Sequence, residues 1–82
     1  MKPVNKIIIT NRSQEKMVLA VEPWADQYFI FPQESVDIVV SGEGSDALEI
    51  DFIESGIVIH GQDKNSFKVL KNGQEVPPGL QQ

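Results

Sequence analysis

His60 is the only histidine in the chain, so any imidazole chemistry must pass through it. Glu49 and Asp51 sit two positions apart in an alternating run. If the strand carrying them pairs with the strand that ends at His60, all three side chains meet on one sheet face, and a mononuclear cation site can be drawn there. Such a group could also do acid–base work. The plainer reading is a solvated face, because a strand with one wet side places polar residues at every second position. Six serines leave a Ser-His-Asp arrangement arithmetically open, but no G-x-S-x-G occurs. Gly42 and Gly44 give G-x-G without the third glycine or the helix that a phosphate cradle needs. No EF-hand pattern is present. We therefore expect no catalytic residue, no metal and no cofactor, and a protein that is not an enzyme.

The aromatic residues offer binding rather than catalysis. Trp24 and Tyr28 follow a Glu22-Pro23 turn and could form a platform for a small molecule or a sugar ring, or for a proline-rich peptide. A lone Trp in a small β domain more often closes one end of the core, and that is the reading we favour for Trp24, Tyr28 and Ile30. Phe29 and Phe31 point the opposite way from Tyr28 and Ile30, so their strand has no polar side. Either the chain covers that second face itself, or Phe29 and Phe31 meet a partner or another copy.

The elements that must position these residues are all strands. No window shows helical spacing, and period-two patterning dominates. The first strand covers Val4 to Thr10, with Ile7 and Ile9 on one face and Ile8 on the other, and is expected to be covered on both sides. Lys16 to Glu22 follows and ends at Pro23, which has no N–H for a ladder. Next come Gln27 to Phe31 and Val36 to Ser41. In the fifth strand Leu48, Ile50 and Phe52 are expected inward, with Glu49 and Asp51 toward water and Asp37 on a neighbouring strand. Ser55-Gly56 makes a tight turn with positive φ at Gly56. Ile57 to His60 returns antiparallel, and Phe67 to Lys71 leads to Asn72-Gly73, a type I′ hairpin signal. Seven to eight short strands with frequent turn signals predict an all-β fold, an antiparallel β-sandwich or small open barrel. Parallel pairing is not expected, because the connections are short. Residues 1–76 form one domain and residues 77–82 a Pro/Gly-containing tail.

Composition bounds the function. The chain has 82 residues, a net charge of −5 and seven scattered Lys and Arg. That balance argues against nucleic acid and against anionic membrane surfaces. There is no cysteine, which excludes disulfides and thiolate sites and favours a cytoplasmic setting. The N-terminus has neither a signal h-region nor a span. Asn11-Arg12-Ser13 matches the glycosylation sequon; without a secretory signal the match is read as accidental.

Glu22-Pro23-Trp24, Tyr28, Phe31-Pro32, Val36 to Val40, Leu48-Glu49-Ile50, Gly56 to Gly61 and Lys71 to Glu75 together resemble a group of small uncharacterised bacterial all-β proteins with a Glu-Pro-Trp turn. The resemblance covers roughly residues 19 to 76 and implies a β fold with no assigned activity. This chain carries Ala25 and Gln33 where that pattern leads one to expect glycine. The sequence thus points first to a non-catalytic binding or assembly module that self-associates through Phe29 and Phe31. A small-molecule or carbohydrate-binding domain is the alternative, and a metal-dependent enzyme built on His60 comes last.

Overall fold

Period-two alternation in the sequence becomes the two walls of one core. The computed structural model describes residues 4–42, 48–62 and 65–79. They form eight strands: β1 (Val4–Thr10), β2 (Met17–Glu22), β3 (Asp26–Ile30), β4 (Ser35–Gly42), β5 (Glu49–Ile53), β6 (Gly56–His60), β7 (Asn65–Lys71) and β8 (Gln74–Glu75). The strand orders are β1-β4-β7-β8 and β3-β2-β6-β5, two open sheets rather than a closed barrel. Among the described residues no helix is long and apolar enough to cross a membrane. Gly44 and residues 80–82 of the tail lie outside the described residues.

Leu19, Val21, Tyr28, Ile30, Ile57 and Ile59 of one sheet pack against Val36, Ile38, Val40 and Val69 of the other. The inward residues share register rows: Leu19 lies between Tyr28 and Ile57, and Ile7 lies opposite Ile38. Burying each such side chain contributes about 1.5–3 kcal/mol.

The expectation of purely antiparallel pairing fails at one place. β2 and β6 run parallel, with Val18 opposite Gly56 and Glu22 opposite His60. Short connections forbid a parallel pair only between strands that are neighbours in the chain. Here β3, β4 and β5 intervene, and β4 belongs to the other sheet, so the crossover is made of strands.

Two expectations about cover also change. Ile8 is 62% exposed, because β1 is an edge strand whose outer face has nothing packed on it among the described residues. β5 keeps the expected parity, with Ile50 opposite Ile59 and Phe52 opposite Ile57, yet all five of its residues are exposed. It is the outermost strand of its sheet, and only the preceding Leu48 reaches the core.

The turns follow residue chemistry closely. Phe31–Glu34 closes with Glu34 N–H donating to Phe31 O at 3.0 Å, with Pro32 at the first central position and Gln33 at φ 65° at the second, a type II turn. Asn72 and Gly73 have φ of 53° and 80°, as a type I′ hairpin requires. Ala25 has φ 59°, so both positions where glycine was expected do adopt the left-handed region. Beyond β8, Gly79 N–H donates to Gln27 O at 2.7 Å on the free edge of β3, which blunts that edge.

Candidate functional site

The Glu49, Asp51 and His60 side chains do converge. Glu49 lies directly opposite His60 in the β5–β6 pair. On its other side His60 faces Glu22 of β2. The His60 Nε2 and Asp51 Oδ2 atoms are 2.9 Å apart, and one ligand atom from each of Glu49, Asp51 and His60 lies within 4.8 Å of the others. Tetrahedral ligands about 2.1 Å from a zinc ion stand about 3.4 Å apart, wider than the 2.9 Å contact between His60 and Asp51, so holding a cation would require that pair to open. Asp37 does not join them; it lies in the other sheet, 4.0 Å from Lys6 Nζ. Among the described residues the His60 ring hydrogen-bonds only to Asp51, and no serine reaches it. The arrangement is a solvated His–carboxylate pair on a sheet face.

Phe29 and Phe31 sit together on the outer face of their sheet, ring centroids 5.9 Å apart. Lysines cover them. Lys16 Nζ lies 4.0 Å from the Phe29 centroid and Lys71 Nζ 5.4 Å from that of Phe31. Lys71 also donates to Phe29 O at 2.8 Å and pairs with Glu34 Oε1 at 3.0 Å. Burial pushes the Glu34 carboxyl up, but the Phe31 N–H and the Lys71 ammonium outweigh it and hold the group below the usual carboxylate range. The ammonium groups themselves lie over the rings, where the negative π face attracts a cation, and the Lys71 side chain is only 12% exposed; this supplies the second cover that the sequence left open. Both phenylalanines are half-buried.

Trp24 and Tyr28 part company. Tyr28 points inward from β3, opposite Leu19, and is buried. Its phenol pKa is raised by burial first, then by the Asp26 and Glu75 charges. It cannot form a surface platform with Trp24. Trp24 in turn does not close the core: it is 42% exposed, in the turn between β2 and β3 where Ala25 adopts the left-handed region. It leans on Phe67, centroids 5.5 Å apart.

The feature that sequence reasoning missed is the β5 edge. Phe52 is 81% exposed, and Ile50 and Ile53 are exposed beside it. An open groove of about 500 Å³ with a mixed polar and apolar lining runs from Phe52, Ile53 and Glu54 to Lys16, Met17 and Val18. The available signal was positional: a strand flanked by a Gly-rich loop and a two-residue turn is a candidate for a sheet edge. No family model, curated protein or solved structure matches the chain.

Proposed function

We propose that the protein is a non-catalytic binding or assembly module of the cytoplasm that self-associates, and that β5 rather than the Phe29–Phe31 face is its contact edge. One observation carries this reading: an edge strand displays a phenylalanine and two isoleucines to water. Edge strands are templates for pairing, and native proteins usually blunt them. β3 is blunted by Gly79 and Lys71; β5 has no such cover among the described residues.

The occupant is a second copy of the chain. Antiparallel pairing of two β5 strands about Asp51 is self-complementary: Ile50 meets Phe52 of the second copy twice over, and Glu49 meets its Ile53. Such a contact is isologous and closes on itself. The two Asp51 carboxylates face each other at the axis, each accompanied by its own His60 at 2.9 Å. A domain of this size gains only ~3–5 kcal/mol from its core, so added apolar burial is a large increment. With a net charge of −5 on each copy, association strengthens with salt.

Sedimentation velocity tests this. The wild type is expected to shift from monomer toward dimer between low micromolar and near-millimolar concentration. Phe52→Asp is expected to abolish the shift without lowering Tm, since the side chain lies largely in water. A wild type monomeric throughout, or a dimer lost in Phe29→Asp and retained in Phe52→Asp, would refute the β5 assignment.

A further inference from the structure

The cleft beside Trp24 shares no residue with β5 and has a chemistry of its own. It is an open recess of about 260 Å³ lined by Trp24, Asp26, Asn65, Ser66 and Phe67. Its aromatic wall is seated on backbone. A Cβ added to Gly61 would lie 2.4 Å from Phe67 Cε1 and 3.0 Å from Trp24 Cζ3, so the two rings rest on the chain at Gly61. Gly61 is in turn fixed to β2, its N–H donating to Glu22 O at 2.8 Å. The Trp24 ring is therefore supported from beneath by Gly61 and Phe67 while much of it stays in water.

The polar wall is set as well. Asn65 Oδ1 accepts the Gln62 N–H at 3.0 Å, which fixes the amide and leaves its NH₂ to donate. The Asp26 carboxylate accepts, and the Ser66 hydroxyl does either.

We propose that this cleft binds a neutral pyranose ring. The C–H face of the sugar stacks on Trp24, and vicinal hydroxyls donate to Asp26 and accept from Asn65. A recess of this volume suits one ring rather than a drug-sized ligand. A cationic ligand would want several aromatic rings enclosing it. Here one exposed indole faces donors and acceptors together, which is what hydroxyl groups need.

Trp24 is the only tryptophan, so its fluorescence reports on the cleft directly. Titration with glucose, galactose, mannose, N-acetylglucosamine and their short neutral oligomers is expected to give a saturable change with at least one of them, at about millimolar affinity. Asp26→Asn should weaken that binding about tenfold, the loss of one charge-assisted hydrogen bond. Calorimetry should show no binding to Trp24→Ala; should that variant unfold, Asn65→Ala replaces it with a loss of similar size. No saturable response to any of these sugars overturns the proposal. So does a response that Asp26→Asn leaves intact, or one seen only with tetramethylammonium chloride.

Discussion

Gly56→Ala should leave the protein largely unfolded at 25 °C. Gly56 opens β6 at φ 157°, a backbone conformation that residues with a Cβ rarely adopt. It also passes against β2: an added Cβ would lie 1.9 Å from Val18 O and 2.7 Å from Val18 N. Both atoms are backbone, so no side-chain rotation relieves the clash. The strands must separate at the point where Val18 N–H donates to Ser55 O at 2.8 Å. That pair joins β2 to β6 in the middle of the sheet, and Leu19, Val21, Ile57 and Ile59 depend on it for their place in the core. Steric strain of this kind belongs to the class costing above about 4 kcal/mol, against a total of ~3–5 kcal/mol. Gly73→Ala is the control. Gly73 also has positive φ, but nothing lies within 4 Å of its added Cβ; only the left-handed cost of about 1–2 kcal/mol applies. Circular dichroism and thermal melts of the two variants read the difference. Equal, small losses would contradict the parallel β2–β6 register.

Asn11→Ala should lower stability by about 3 kcal/mol, on the order of 15 °C in Tm for a domain of this size. Asn11 is 1% exposed and fully engaged. Its Nδ2 donates to Ile30 O at 2.9 Å and to Glu15 O at 2.8 Å. Its Oδ1 accepts from Ser13 N and Ser13 Oγ. Its backbone N–H donates to Glu34 O at 2.9 Å, and its carbonyl accepts from Gln33 N–H at 2.6 Å. One side chain thus ties the β1–β2 connection to the end of β3 and to the β3–β4 turn. Truncation leaves the Ile30 carbonyl buried without that donor, and an unpaired buried group costs more than a hydrogen bond contributes. Asn11→Asp should be no better, since the two carbonyls would then face an acceptor. A thermal melt matching wild type would show that the network does not hold these turns. The same geometry settles the sequon: with both amide hydrogens bonded in the interior, Asn11 is no glycan acceptor in the folded chain.

The strands were legible because one wet face forces alternation. Met17, Leu19 and Val21, or Val36, Ile38 and Val40, could hardly be read otherwise. The turns at Gly56 and at Asn72-Gly73 were legible because few residues tolerate their dihedrals. What alternation cannot reveal is cover. The pattern in β5 is the same whether or not another sheet lies over it, so Phe52 reads as an inward residue and yet is exposed. Phe29 and Phe31 present the opposite difficulty: their cover comes from Lys16 and Lys71, whose ammonium groups lie over the rings although their charge marks them as solvent-facing. The same limit applied to β1, where Ile8 looks like a core residue and lies in water. Asn11 carries no local mark of burial, and only neighbours distant in sequence, Ile30, Gln33 and Glu34, make it a buried anchor. The β2–β6 pair joins strands about half the domain apart in sequence, a relation that no local window contains. Glu49, Asp51 and His60 came together as the spacing suggested, because β5 and β6 form a hairpin and its register follows from the turn.

The contact proposed for β5 can be fixed in register by one substitution. The chain has no cysteine, so Asp51→Cys supplies a single thiol. In an antiparallel pair centred on residue 51 the two copies face each other directly, with Cα atoms about 4.5–5.5 Å apart, within disulfide range. Under mild oxidation Asp51→Cys is expected to convert rapidly and nearly completely to a covalent dimer, while Ile8→Cys, exposed on the other sheet, does so slowly. Equal rates for the two variants, or no dimer from Asp51→Cys, would contradict self-association through β5.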